Sequence, residues 1–183
     1  MPQVRPYRQE LILQPLKPEY VNNSVAAVTK PADRLAVALA AVHAARSGAI
    51  RRLQLDDLDI GNRKLVIDGR VRPMDELTLH VAREWLDHRR RRWPDTANPH
   101  LLINKFSALG TGPVSAVSLT APLRGQAATL EQLRVDRQLE EALSHGPDAL
   151  HLADVFGLDE KTAIRYANSA RALLDQAAEQ PLQ

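Results

Sequence analysis

The sequence predicts a mainly α-helical protein carrying one small β-hairpin, an α+β class, and three observations lead there. Apolar residues recur at helical spacing in several windows, as in Leu35, Ala38, Leu39, Val42 and Ala45. One Asp68-Gly69 pair stands between two short segments, 63–67 and 70–73, which is the strongest two-residue hairpin signal in the chain. Glycines at 146 and 157 then divide the C-terminal third into further amphipathic helices.

The chain has 183 residues, enough for one substantial core or a core plus an extension. Lys and Arg number 24 against 22 Asp and Glu, a formal net charge of +2. That excess is too small to argue for nucleic acid, so distribution carries more weight than total. Arg89, Arg90, Arg91 and Arg92 form an unbroken run, and Arg46, Arg51 and Arg52 form a second cluster. Charge runs are also the ordinary solvated faces of helices. The absence of cysteine excludes disulfides and thiolate metal sites and suits a cytoplasmic protein. No apolar run approaches the roughly 20 residues that cross a bilayer, so no membrane partner is expected.

Taken in order, residues 1–31 contain Pro2, Pro6, Pro15, Pro18 and Pro31 and read as an N-terminal arm or linker, with one short ordered turn around 11–13. Residues 32–45 are a buried, alanine-rich helix, on which His43 is a core or boundary residue. After Arg46-Ser47-Gly48 a short helix covers 49–53. The strand 63–67 turns at Asp68-Gly69 and returns over 70–73, where Pro73, lacking a donor, closes the ladder. Residues 75–92 form a long amphipathic helix with Leu77, Leu79, Val81, Ala82, Trp85 and Leu86 inward; its four terminal arginines suit the negative end of the helix. Residues 101–103 read as a short extended segment and 107–122 as a loop or short helix. Leu130, Leu133, Leu139, Ala142 and Leu143 mark a helix over 130–143, ended by His145-Gly146-Pro147.

Residues 149–170 have the pattern of a helix-turn-helix. Leu152, Phe156, Leu158 and Ala163 fall where the two helices pack, Ala153 where they cross closely, and Gly157 at the tight turn. Asp159 is placed to cap the second helix. Glu160, Lys161 and Arg165 would face outward, residue types that meet phosphates and base edges. Two ordinary amphipathic helices around a glycine show the same pattern.

The order helix, hairpin, charged helix resembles the C-terminal catalytic domain of the tyrosine recombinases, or phage integrases. The resemblance begins in HAARSGAIRRLQLDDLDI, where Arg46 stands at the family's first catalytic arginine. It continues in the hairpin GRVRPM, where the family carries a lysine and Arg70 is the nearest cation here. In EQLRVDR, Arg134 stands at the second catalytic arginine and Glu131 at a histidine. In VFGLDEKTAIRY, Tyr166 stands at the nucleophile, 32 residues after Arg134. The family likeness spans roughly 31–170.

The resemblance implies double-stranded DNA as partner, with a homo-oligomer on DNA left open, and no metal or organic cofactor. If the chain is an active enzyme, it is a tyrosine-type DNA strand transferase, with Arg46 and Arg134 on the phosphate and Tyr166 attacking it. The departures argue for weak or absent chemistry: Glu131 replaces a histidine, Leu158 a second one, and the hairpin turn has no lysine. Losing one general acid or base costs about 10²–10⁴ in rate, and here several are replaced. Each site residue also has a structural reading: Arg46 paired with Asp56 or Asp57, Arg134 with Glu131 or Asp136, and Tyr166 as the core residue of the two-helix motif. The resulting expectation is an arm over 1–31, an integrase-like domain over 32–178 and a tail over 179–183. Its function is DNA binding of the recombination and integration type, with Arg89 to Arg92, Lys161 and Arg165 as DNA contacts. The alternative is a non-enzymatic helix-turn-helix regulator.

Overall fold

The computed structural model describes residues 12–179, and they fall into two compact units. One is Leu16–Gln138; the other combines residues 139–179 with residues 12–15.

The larger unit opens with α1 (Pro18–Ala26), a helix inside the stretch expected to be an irregular arm. The prolines misled because Pro18 and Pro31 stand at the first positions of α1 and α2 (Pro31–Ala41), where the missing N–H would be unpaired anyway. Only part of the turn expected around 11–13 lies within the described residues. Buried Ser24 ties α1 down by accepting from the Ala128 backbone N–H at 2.9 Å. Helix α2 is buried along Leu35–Ala40 and packs against α4 (Glu76–Arg92).

After α2 the chain reverses through Ala44, whose φ of 52° is left-handed, with Ala45 N–H donating to Leu39 O at 3.0 Å. That reversal delivers Arg46 to the start of α3 (Ser47–Arg52). A 3-10 turn at Leu55–Asp57 leads into β1 (Leu58–Asp59), a strand not foreseen, which pairs antiparallel with β2 (Lys64–Ile67). The β2–β3 hairpin is as expected, with β3 at Arg70–Pro73 and φ values of 48° at Asp68 and 75° at Gly69. Both central residues of a type I′ turn need positive φ. Leu65 and Ile67 point into the core.

Asp75 caps α4, accepting from Thr78 N–H at 2.9 Å and from the Thr78 hydroxyl at 2.7 Å. With its proton given to Asp75, the Thr78 hydroxyl accepts from His43 Nε2 at 3.0 Å, which fixes that tautomer. His43 is therefore a buried neutral link between the end of α2 and the start of α4. The inner face of α4 is Leu79, Val81, Ala82 and Trp85, whereas Leu77, expected inward, is 55% exposed. Trp85 Nε1 donates to Leu101 O at 2.8 Å, and Leu101 N–H donates to Leu53 O at 2.7 Å. Residues 101–103 are buried but form no strand; the only ladder contact there is the bridge between Gln54 and His100. Arg89, the first of the four-arginine run, turns inward. Its Nη2 reaches the carbonyls of Asn98 at 2.6 Å and His100 at 3.3 Å. Helix α5 (Ala116–Thr120) lies within the stretch expected to be a loop or short helix.

Helix α6 (Leu130–His145) starts in this unit, its entry fixed by reciprocal bonds between Thr129 and Gln132. In the second unit, α7 (Ala149–Phe156) ends at Gly157 with φ 66° and ψ 38°, and α8 (Glu160–Glu179) packs against it. Asp159 accepts from Thr162 N–H at 3.0 Å at the start of α8. Leu13 N–H donates to the buried Ser169 at 3.1 Å.

Two consequences can be measured. Arg89→Ala should lower stability by about 2–3 kcal/mol, because two carbonyls lose a charged donor, while Arg90→Ala, on an exposed side chain, should stay within about 0.5 kcal/mol; urea melts separate them. His43 has its pKa lowered, first by burial and then by Arg72 and Arg137, with Asp75 opposing. The unfolded chain then takes up the proton first as pH falls. Stability is complete above the ordinary histidine pKa and declines below it, so the urea midpoint should drop between pH 7.5 and 5.5, and His43→Gln should flatten that drop.

Candidate functional site

Arg46 is the residue just before α3, with an extended backbone (φ −71°, ψ 146°) and an exposed side chain. It bonds to neither Asp56 nor Asp57; Asp57 instead accepts from Gln54 N–H at 2.8 Å. Arg134 lies one turn into α6 and is 8% exposed. Its guanidinium is held in a fork by Glu131, with Nε to Oε2 at 2.9 Å and Nη2 to Oε1, and its Nη1 donates to Gln138 Oε1 at 2.9 Å. The Glu131 side chain is 62% exposed. Hydrogen bonding from Arg134 holds its carboxyl below the usual range, burial opposes, and the charges of Arg134 and Arg46 lower it further. The Glu131–Arg134 fork thus sits in the first two turns of α6, and the charge of Arg46, from the start of α3, bears on Glu131.

The two arginines of the hairpin strand β3 differ in setting. Arg70 is exposed, whereas Arg72 is half-buried and its Nη1 donates to His43 O at 2.6 Å, two residues before the turn that delivers Arg46. Burial and the charge of Arg70 lower the Arg72 pKa. The signal was in the register: Arg72 lies opposite the buried Leu65, and opposed residues share a face. Arg137, on α6 one turn beyond Arg134, also bears on His43. Neither Arg72 nor Arg137 was among the residues the sequence singled out.

Tyr166 belongs to the second unit. It is fully buried on α8, and its Oη has no hydrogen-bond partner among the described residues. The Arg165 guanidinium carbon sits 5.7 Å from the centre of its ring. Lys161 and Arg165 are exposed and four residues apart on α8, hence on one face.

The arginine run does not act as one patch. Arg89 is buried and committed to carbonyls, which corrects its expected place among the DNA contacts. Arg90, Arg91 and Arg92 are exposed, with Arg90 loosely paired to Asp87 at 3.8 Å and Arg92 stacked over Trp93 at 5.6 Å. Among the described residues, no group of three or more His, Asp or Glu is arranged to hold a metal ion, and no helix is long and apolar enough to cross a membrane.

Chemically, a guanidinium such as that of Arg134 can hold an oxyanion on its paired N–H donors. It offers no proton to a leaving group, because arginine stays protonated and Glu131 is held ionised.

No protein-family model matches the sequence, and no curated protein is similar enough in sequence to count as a relative. Solved structures are similar in fold. XerA recombinase superposes with a TM-score of 0.73 at 16% identity, over 98% of this chain and 68% of that one. XerH site-specific recombinase, solved bound to palindromic difH substrate in a post-cleavage complex, gives 0.69 at 16% identity, over 92% and 53%. The Tn1549 transposon integrase, solved in complex with transposon right end DNA, gives 0.66 at 15% identity, over 95% and 68%. The chain thus spans from about half to about two thirds of those proteins' lengths. Likeness at this level of identity is likeness of architecture: the chain has the α+β fold of the tyrosine-recombinase catalytic domain, as the order of its elements around Arg46, Arg134 and Tyr166 leads one to expect.

Proposed function

We propose that the chain is a DNA-binding protein of the site-specific recombinase and integrase type that is weak or inactive in phosphotyrosyl strand transfer. The observation that carries this reading is the Arg46 and Arg134 pair, retained on a recombinase fold with Glu131 bound into it. Two arginines can still grip a backbone phosphate, and the exposed Arg90, Arg91 and Arg92 add phosphate contacts.

Strand transfer demands more. The Tyr166 Oη would attack phosphorus, the 5′-oxygen would leave with the electron pair of the broken P–O bond, and protons would move from the phenol and onto the leaving oxygen. In this chain the phenol oxygen is buried and the carboxyl nearest the arginines is ionised, so neither transfer has a ready agent.

A second reading is favoured by a separate observation. Lys161 and Arg165 stand exposed on one face of α8 beyond the tight turn at Gly157, which suits a non-enzymatic helix-turn-helix regulator.

Fluorescence anisotropy of labelled duplex DNA over a salt series, with a denaturing gel of the same samples, tests both. The expected result is binding that weakens steeply with salt and leaves no covalent adduct. Arg90, Arg91 and Arg92 changed together to Ala should flatten the log–log salt slope by up to about 2.7, at about 0.9 per phosphate contact. An adduct abolished by Tyr166→Phe would sink the inactive reading. Loss of sequence preference in Lys161→Ala with Arg165→Ala, while Arg46→Ala changes little, would favour the regulator. Tyr166→Phe should itself leave stability unchanged or raise it by about 1 kcal/mol, because it removes a buried hydroxyl without a partner; a thermal melt checks this.

A further inference from the structure

We propose that the Glu131 carboxylate is an intramolecular occupant of the oxyanion seat made by Arg46 and Arg134, so that a phosphate enters only by displacing it. The inference rests on the DNA-binding reading for the identity of the phosphate, and for the seat on the geometry of the Glu131–Arg134 fork, with the charge of Arg46 bearing on the same carboxylate.

A guanidinium presents two parallel N–H donors, and a carboxylate or a phosphate fills them with the same pair of oxygens. Glu131 does so on Arg134 through both of its oxygens. The two side chains differ sharply in exposure, 9% for Arg134 and 62% for Glu131, so the carboxylate covers the guanidinium from the solvent side. That is the side from which an external anion would arrive. The inner side is closed by Gln138. An ordinary pair three residues apart on a helix joins two exposed side chains that water would serve equally well. Here the acid is the solvent-facing ligand of a buried cation, and a second arginine from another element, Arg46, bears on the same carboxylate. Arg46 makes no hydrogen bond through its side chain among the described residues, so its charge is available to whatever anion lies there.

The balance of charge makes the device adjustable. Neutralising the Glu131 carboxylate removes one negative charge from beside the two arginines. A bound phosphate must meet the repulsion of Glu131 or wait for its side chain to swing away; the acid is already largely in water, and the donors it leaves on the buried Arg134 are then filled by the phosphate itself.

The test compares the full chain with Glu131→Gln, which keeps the shape and an acceptor oxygen but removes the charge. Glu19→Gln, on exposed α1, serves as an equal change in net charge. Binding is read by anisotropy of a short duplex over a salt series, and separately by the rise in melting temperature with inorganic phosphate. The expected result is that Glu131→Gln binds duplex about tenfold more tightly, with a salt slope steeper by about 0.9, and is stabilised by phosphate more than the parent. Adding Arg46→Ala should erase both gains, and Glu19→Gln should show neither. If Glu131→Gln binds duplex and phosphate as the parent does, the seat is not occupied by Glu131 and the proposal falls, while DNA binding lost on changing Arg90, Arg91 and Arg92 would leave the functional reading standing. An equal gain in Glu19→Gln also overturns it, since net charge alone would then account for the effect. If no duplex binds at all but phosphate still favours Glu131→Gln, the occupied seat stands and the DNA-binding reading falls. Melting of each variant without ligand keeps a folding defect from being mistaken for any of these.

Discussion

A guanidinium withdrawn from water keeps its charge and so demands acceptors, and much of the larger unit is arranged around three that are withdrawn. Arg89 draws the carbonyls of Asn98 and His100 against the end of α4. Arg72 takes the carbonyl of His43 and so ties the hairpin to the reversal after α2. Arg134 is filled by Glu131 and Gln138 on its own helix. Removing any one partner would strand charge or carbonyl in a poorly solvated place, which is costlier than never having buried the group. The cationic face of the molecule is thus partly used up as internal structure. Arg46 and the arginines at the exposed end of α4 are among the cations that stay turned to solvent.

Arrangements of this kind separate binding from chemistry. Phosphate binding asks for charge and donors within a few ångströms and tolerates rearrangement, because counterion release supplies much of the driving force. Phosphoryl transfer through a tyrosine asks in addition for a free phenol and a group that can give up a proton at neutral pH. An ionised carboxylate such as Glu131 weakens the first requirement by its charge and does nothing for the second. The fold, which needs only the helical pattern and the hairpin, is indifferent to it.

Much of the fold was legible because its signals are local. Asp68-Gly69 needs positive φ at both positions and announces its own turn; Asp75 announces the start of α4, and Gly157 the end of α7. The failures came where a local signal had two meanings. Pro18 and Pro31 read as breakers, yet each opens a helix. Arg89 reads as one of four equivalent surface charges, yet the rotation of α4 carries it inward, and only tertiary contacts disclose the carbonyls waiting there. Leu77 reads as core by composition and lies outside by helical phase. Arg46, Glu131 and Arg134 were named together only through the family resemblance, and the fork between Glu131 and Arg134 was legible as one of two pairings. That Arg72 turns inward and Arg70 outward could have been read by counting strand alternation from the turn. Strand β1, two residues long, carries no periodicity to read.

Glu131 shows how one residue serves both structure and restraint. In the first turn of α6 a carboxylate is favoured by the helix dipole, and three residues before an arginine it satisfies a buried guanidinium. Both roles would be met as well by an acid in a protein that binds no nucleic acid. What distinguishes this site is the second arginine, Arg46, brought by a left-handed turn at Ala44 that costs the backbone about 1–2 kcal/mol. A chain that needed only to neutralise Arg134 has no use for that cation. Its presence beside an already paired carboxylate adds a positive charge there, and an exposed acid on a buried guanidinium with a second cation beside it is one with which an external anion competes.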